Sequence, residues 1–143
     1  MDRFSRRIAL CALVGAALAL PLSTALATPL QAGGNHAGED HSFDVHSNLD
    51  LTGIVLSNAT LVSTDFKNSV FRSALLLSAD LTNANLKNTD FTGADLTGAV
   101  MEGADGKNSV FAGAVLDGVS FSTGDIKNAD FRGASLLGAA LIL

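Results

Sequence analysis

Bulky apolar residues recur at every fifth position over most of the chain. The series begins at Leu51 and continues to Leu141, with an interruption at Gly106. A small residue, most often alanine, stands two positions before most members of the series. Neither the 3.6-residue period of a helix nor the two-residue period of a strand produces a strict period of five. The pattern therefore predicts a coil with short flat sides, each of which turns one large and one small residue inward.

A second period of twenty residues is superimposed on the five. Lys-Asn pairs follow the central apolar position at this longer interval: Lys67-Asn68, Lys87-Asn88, Lys107-Asn108 and Lys127-Asn128. Phenylalanine and leucine recur at central positions with the same spacing. One turn of the coil therefore takes about 20 residues and has four sides. Residues 49–143 are predicted to form nearly five such coils, an all-β domain in which like side chains stack on like.

The individual units resemble the A(D/N)LXX motif of the pentapeptide-repeat family. Residues 79–83 (ADLTN), 84–88 (ANLKN) and 94–98 (ADLTG) are examples, and the resemblance covers roughly two thirds of the chain. Known members of that family fold as a right-handed quadrilateral parallel β-helix, so the resemblance implies this fold here. It also implies two kinds of role. Secreted and lumenal members mostly have no assigned role, whereas a gyrase-protecting branch mimics DNA and binds topoisomerase.

Gly106 occupies a central position at which every neighbouring unit has a large side chain. Two interpretations are open. The site is either a tolerated defect that a neighbouring Phe or Met fills, or a bend or small cavity. If the position is empty, Gly106→Leu is expected to raise the melting temperature, because an unfilled core site commonly costs about 2–5 kcal/mol.

The first 27 residues have the organisation of a signal peptide. Three arginines at positions 3–7 precede an uninterrupted apolar run at 8–20, and residues 25–27 (ALA) offer a small-x-small cleavage pattern. The run is too short to span a bilayer comfortably, so we expect no stable membrane span after cleavage. We predict export, either to a periplasm or, in a photosynthetic organism, to a thylakoid lumen. General secretion and the twin-arginine route both stay open.

Cleavage at this point would change the composition of the chain. The full sequence has nine basic and fourteen acidic residues. Three arginines and Asp2 leave with the signal, so the mature charge is six minus thirteen, or −7. The single cysteine also leaves, and no disulfide is possible. An acidic rod without a basic patch argues against a nucleic-acid partner.

Residues 28–48 are predicted to be a flexible polar linker or an N-terminal cap. This segment is rich in glycine and contains every histidine of the chain: His36, His41 and His46. Imidazoles interspersed with Glu39, Asp40 and Asp44 suit zinc, copper or nickel, which makes the histidines candidate ligands. A mobile segment is nevertheless a poor preorganised site, so we predict neither a metal nor another cofactor. The histidines also keep the five-residue phase, which leaves a decayed coil open.

The outward-facing positions differ between the sides. One side pairs a row of Asp and Asn with the row of lysines, which predicts a mutually neutralised surface, and the asparagines after the lysines are expected to form an amide ladder. Another side and the C-terminal end are apolar, and they are candidate interfaces. Their residues are Val55, Leu75, Leu77, Val115, Leu137, Leu141 and Leu143. A homodimer through the C-terminal coil would bury the end.

These features favour a non-enzymatic exported scaffold or interaction module with an unknown protein partner. No Ser-His-Asp grouping or phosphate-binding loop can be assembled, and the mature chain lacks Cys, Trp and Tyr. Two alternatives are a DNA-mimicking, topoisomerase-binding protein of the gyrase-protection type, and a weak periplasmic metal binder through the histidine segment. The predicted signal counts against the first, because it separates the chain from gyrase.

Overall fold

A computed structural model describes residues 29–142 of the chain. The predicted signal peptide and Leu143 lie outside the described residues. Between residues 31 and 140, almost every unit of five consists of a two-residue turn and one residue in a parallel bridge. Each bridge joins residues twenty apart, from Asn35–Val55 at one end to Ser120–Ala140 at the other. The predicted period is therefore confirmed, and the chain winds as a four-sided parallel solenoid.

The sides of the solenoid are held together by single bridges rather than by longer strands in the part of the chain that is described. The N–H of the central residue donates to the next coil, as in Leu51 N to Val70 O at 2.7 Å. The residue just before a centre donates in the opposite direction, as in Val55 N to Gly34 O at 2.8 Å. Residues 29–142 contain no helix with the length and hydrophobicity needed to cross a membrane.

Each corner is a turn whose third residue has a positive φ. In the unit that begins at Leu51, Gly53 has φ +69° and Ile54 N donates to Leu51 O at 3.1 Å. This backbone geometry requires a residue that tolerates the left-handed region, which explains why glycine and asparagine dominate the corners. The Asp before the centre closes the turn further, because Asp50 Oδ1 accepts from Thr52 N at 3.0 Å. The D/N position of the repeat is thus a turn-forming position.

The interior is a stack of like residues on like residues. The central and small positions are buried through most of the solenoid. Phe71, Phe91, Phe111 and Phe131 form one column with ring-centroid separations of 4.9, 5.1 and 5.0 Å. These separations match the spacing of hydrogen-bonded strands, so the backbone register and the aromatic stacking reinforce each other.

The solenoid begins earlier than the boundary at residue 49 that the sequence analysis favoured. Residues 31–48 have the same turns and bridges as the later units, and Asp40 and Val45 pair with Thr60 and Asp65. Residues 31–50, here called the first coil, therefore follow the phase that the histidines keep. The prediction of a flexible linker is therefore wrong for residues 31–48. Gly33, Gly38 and Asn48 occupy corners with positive φ instead.

Gly106 is not an empty core position. A Cβ on Gly106 would lie 3.5 Å from Cγ2 of Ile126, 3.6 Å from Cζ of Phe121 and 3.3 Å from Oγ of Ser109. The Phe121 ring also lies directly over Gly124, where a Cβ would overlap it. Phe121 thus fills the space that the two glycines leave, as the first interpretation held. Since the position is not empty, the condition for expecting Gly106→Leu to stabilise the chain is not met.

We expect Gly106→Leu to lower the melting temperature, because the leucine and the Phe121 ring would compete for one space. Overpacking of this kind costs about 1–3 kcal/mol, or roughly 4–8 °C per kcal/mol in a domain of about 100 residues. Adding Phe121→Leu, which restores the leucine found elsewhere in that column, should recover most of the loss. Circular-dichroism melting of the single and double variants measures both effects. A higher melting temperature for Gly106→Leu alone would contradict this account.

Candidate functional site

The lysine-bearing side is electrically neutralised between successive coils. Lys87 Nζ lies 2.8 Å from Asp105 Oδ2, and Lys107 Nζ lies 2.8 Å from Asp125 Oδ2. The hydrogen bond from Lys107 holds the pKa of Asp125 below its usual value, and the same bond raises the pKa of Lys107. These groups are exposed, so their effect on stability is small. The neutralised surface that the sequence predicts is confirmed.

The asparagines beside this side form the expected amide ladder. Asn68 Nδ2 donates to Asn48 Oδ1 at 3.0 Å, and Asn88 Nδ2 donates to Asn68 Oδ1 at 2.9 Å. Asn108 and Asn128 continue the series at 3.3 and 3.2 Å. The ladder fixes the register of one corner and leaves no recognisable binding chemistry there.

Two apolar surfaces lie elsewhere on the solenoid. Leu75 and Leu77 are exposed on either side of the buried Leu76, with Val55 half-buried on the preceding coil. Farther along the same side, Asp117 Oδ1 accepts hydrogen bonds from Ser135 Oγ at 2.6 Å and Leu137 N at 2.9 Å. The carboxylate separates Leu137 from the Leu75–Leu77 pair. The apolar residues of this side therefore form two patches rather than one wall.

The last coil, residues 123–142, is much less covered than the coils before it. Its central residues Ile126, Phe131 and Leu136 are only partly buried, whereas their counterparts one coil earlier lie in the core. Leu137 and Ile142 are 75% and 67% exposed. In earlier coils the N–H of the central residue donates to the next coil. Those of Ile126, Phe131 and Leu136 have no acceptor within residues 29–142.

The first coil carries titratable groups at inward positions that hold mostly apolar or small residues in the later coils. His36, His41 and His46 occupy central positions, and Glu39 and Asp44 occupy the small-residue positions. The exposed fractions of His36 and His41 are only 2% and 3%. The three imidazoles contact one another edge-on, with ring centroids 5.7 and 5.6 Å apart. The structure thus brings the three candidate ligands together with two carboxylates.

Hydrogen-bond distances divide this cluster into two parts. Glu39 Oε2 lies 3.0 Å from His36 Nδ1 and 3.1 Å from His41 Nε2, so both contacts are hydrogen bonds. Asp44 Oδ2 lies 3.6 Å from His41 Nδ1 and 3.7 Å from His46 Nε2. These two separations are too long for good hydrogen bonds. The cluster thus contains two overlapping groups of three side chains: His36, Glu39 and His41, and His41, Asp44 and His46. In each group the possible ligand atoms lie within 4.8 Å of one another.

The surroundings of the cluster shift two of its pKa values. Burial lowers the pKa of His46 below its usual value, which favours the neutral imidazole. The hydrogen bond from His36 is the main reason that the pKa of Glu39 is lowered. Neutral imidazoles beside ionised carboxylates are the protonation states in which these residues bind metal ions.

Two hydroxyl groups in the second coil hold the first coil in place. Thr64 Oγ1 donates to His41 O at 3.0 Å, and Ser69 Oγ donates to His46 O at 2.8 Å. Ser69 Oγ also accepts from Leu49 N at 3.1 Å. Thr64 and Ser69 are buried at positions where alanine is most common. Neither residue was predicted from the sequence to have this role, although their departure from alanine, in the units that follow the histidines, was a usable signal.

The family model for pentapeptide repeats matches the chain with eight copies, over residues 50–88, 74–105 and 84–122. No functionally curated protein matches it. Among solved structures, a trypsin-treated form of QnrB1, a plasmid-mediated fluoroquinolone resistance protein, is similar with a TM-score of 0.57 and 18% identity. The match covers 78% of this chain and 68% of that one. At this identity the likeness concerns the fold alone.

Two further solved structures are similar at lower TM-scores. The pentapeptide repeat protein Rfr23 from the cyanobacterium Cyanothece 51142 is 24% identical, with 73% of this chain and 89% of that chain covered and a TM-score of 0.38. A pentapeptide repeat protein from the Arabidopsis thaliana thylakoid lumen is 25% identical, with 73% and 66% covered and a TM-score of 0.30.

We expect Ser69→Ala to loosen the first coil, because it removes the donor to His46 O and the acceptor for Leu49 N. Leaving a buried polar group unpaired costs about 1–3 kcal/mol. Amide hydrogen exchange, read by mass spectrometry, should become faster across residues 41–49 and change little elsewhere. Ser109→Ala is the matched control, since Ser109 Oγ donates to Gly106 O within its own coil at 2.5 Å. Equal acceleration at residues 41–49 in both variants would refute the anchoring role.

Proposed function

Because this chain belongs to the pentapeptide repeat family, we propose that it is a non-enzymatic, exported interaction module. In this proposal the solenoid is a right-handed quadrilateral β-helix whose last coil binds a second copy of the chain. The observation that carries the proposal is the exposed apolar surface of that coil. Export rests on the signal-peptide pattern of residues 1–27, and either a periplasm or a thylakoid lumen fits it.

The difference between the two ends of the solenoid supports the proposal. The inward positions of the first coil carry imidazoles and carboxylates, which tolerate water at an open end. The inward positions of the last coil carry Ile126, Phe131 and Leu136, which lose about 25 cal/mol for each Å² of apolar surface left in water. Solenoids generally need their terminal repeats covered. The last coil therefore favours a partner more strongly than the first coil does.

A second copy is the occupant that suits this surface best. Two identical ends related by a twofold axis present the same apolar residues to each other, and such isologous contacts are the most common in homo-oligomers. The unpaired N–H groups of the last coil add polar edges that a partner backbone would satisfy.

The gyrase-protecting alternative draws no specific support beyond the shared fold. A DNA mimic presents uncompensated negative charge, whereas Asp105 and Asp125 are paired with lysines. Asp90 is likewise paired with Arg72, at 2.7 Å. The remaining acidic side chains are distributed over several sides of the solenoid.

The test compares two leucines of nearly equal exposure. Leu141, in the last coil, is 38% exposed, and Leu77, in the Leu75–Leu77 patch, is 37% exposed. In protein purified after export, sedimentation velocity should give a dimer for the wild type and for Leu77→Asp. Leu141→Asp should give a monomer, because it buries a carboxylate in the proposed contact. Thermal unfolding of both variants verifies that they are folded.

Other outcomes reject the proposal or redirect it. A monomeric wild type would overturn association through the last coil. A dimer that survives Leu141→Asp and dissociates in Leu77→Asp would place the contact on the Leu75–Leu77 patch instead, which would also overturn it.

A further inference from the structure

The first coil contains a group of three side chains whose arrangement the apolar core does not require. Central positions elsewhere hold mostly leucine or phenylalanine, and small positions hold mostly alanine, serine or threonine. Here the same backbone directs imidazoles and carboxylates inward from consecutive sides. We propose that the first coil binds one divalent metal ion of borderline softness, such as Zn²⁺, through His41 Nδ1, Asp44 Oδ2 and His46 Nε2.

The distances from Asp44 Oδ2 to the two nitrogens suit a shared ion. Asp44 Oδ2 lies 3.6 Å from His41 Nδ1 and 3.7 Å from His46 Nε2. Two ligand atoms of a tetrahedral zinc ion, each about 2.1 Å from the metal, are about 3.4 Å apart. The carboxylate oxygen is therefore too far from both nitrogens for hydrogen bonds and close to the separation that an ion between them would give.

An unsatisfied nitrogen gives independent support. Among the residues that the structure describes, His46 Nε2 is the buried side-chain polar atom without a hydrogen-bond partner. The His46 ring is held by stacking on Phe66, with centroids 5.7 Å apart and planes inclined by 23°. Nε2 is thus fixed beside Asp44 without a partner of its own, a costly arrangement that a bound cation would relieve.

Glu39 supplies the support that metal-binding histidines normally have. When His41 Nδ1 binds the ion, His41 Nε2 carries a proton and donates it to Glu39 Oε2, 3.1 Å away. A carboxylate behind a ligand histidine fixes its tautomer and orientation. Glu39 is in turn held by His36 Nδ1 at 3.0 Å. The other three-residue group, His36, Glu39 and His41, is consequently the outer shell of the proposed site.

Glycine at position 34 makes room for this outer shell. A Cβ on Gly34 would lie 2.8 Å from Nε2 and 3.1 Å from Cδ2 of His36. The His36 ring therefore occupies the volume where later coils place a small side chain. Two carboxylates close to one ion would also balance its charge, and three protein ligands leave one position for water or an exogenous group.

Isothermal titration of the purified, exported protein with Zn²⁺ tests the proposal. We expect one ion per chain with a Kd of about 10 μM or tighter. At zinc concentrations about 100 times the Kd, the melting temperature should rise by about 11–22 °C. Cu²⁺ and Ni²⁺ should bind at the same site, because imidazole and carboxylate ligands suit all three ions.

The decisive variant is His46→Phe. Phenylalanine is a normal central residue of the repeat and keeps the ring on Phe66, so the metal-free variant should melt at or above the wild-type temperature. Its response to zinc should be lost, and Asp44→Asn should weaken binding at least about 100-fold. Glu39→Gln removes only the negative charge behind the His41 ring, so it should weaken zinc binding about 10-fold while keeping one ion per chain.

Asp65→Asn is the control for the loss of a negative charge. It lies on the outer surface in a column where Asn85 already stands, so zinc binding should be unchanged. A wild-type Kd weaker than tens of micromolar would overturn the proposal. Binding that persists in His46→Phe, or that Asp65→Asn weakens as much as Asp44→Asn, would also overturn it. None of these results depends on the oligomeric state of the chain.

Discussion

The backbone hydrogen bonds between coils, fixed at a register of twenty residues, are the constraint on which the rest of the structure depends. They place each side chain directly over the residue twenty positions earlier. A slip by one unit of five would stack phenylalanine on leucine and break the amide ladder, so the side-chain columns make the register specific. The same bonds run from each coil to the next and leave the last coil with donors that its own residues cannot satisfy. The regular pairing within the solenoid and the unpaired N–H groups of its last coil therefore both result from the direction of these hydrogen bonds.

The repeat predicts the parts of the structure that each position determines by itself. The four-sided winding, the phenylalanine column, the asparagine ladder and the Lys–Asp pairs could all be predicted, because identical neighbours give each site an identical environment. Prediction failed where one site depends on a different neighbour. Gly106 looked empty in its own column, but the ring that fills it belongs to Phe121 in the adjacent column. Glycine and polar residues between 31 and 48 suggested mobility, although the same residue types form the corners of every later coil. For residues 31–48, the five-residue period predicted the structure better than the amino-acid composition did.

The inward positions of the two terminal coils are not covered by a further coil, and the two coils differ in the residues they place there. At the first coil the inward groups are polar, and hydroxyls from Thr64 and Ser69 satisfy the carbonyl groups of His41 and His46. At the last coil the inward groups are apolar, and their surface is stabilised only when something covers it. The proposed dimer and the proposed metal ion therefore act at opposite ends of the molecule. Each contributes to stability locally, because contacts in a solenoid extend only to neighbouring coils.

A simple polar cap would not explain the composition of the first coil. Serine, threonine or glutamine at the inward positions would satisfy the end with neutral hydrogen bonds and no charge. Instead, two carboxylates alternate with three imidazoles on consecutive sides, and burial lowers the pKa of His46 away from the charged form that would pair best with Asp44. In the absence of a cation, His46 Nε2 lacks a partner, at a cost of about 1–3 kcal/mol. A cluster that leaves His46 Nε2 without a hydrogen-bond partner and contains the ligand atoms of a common metal site is better explained by binding than by capping.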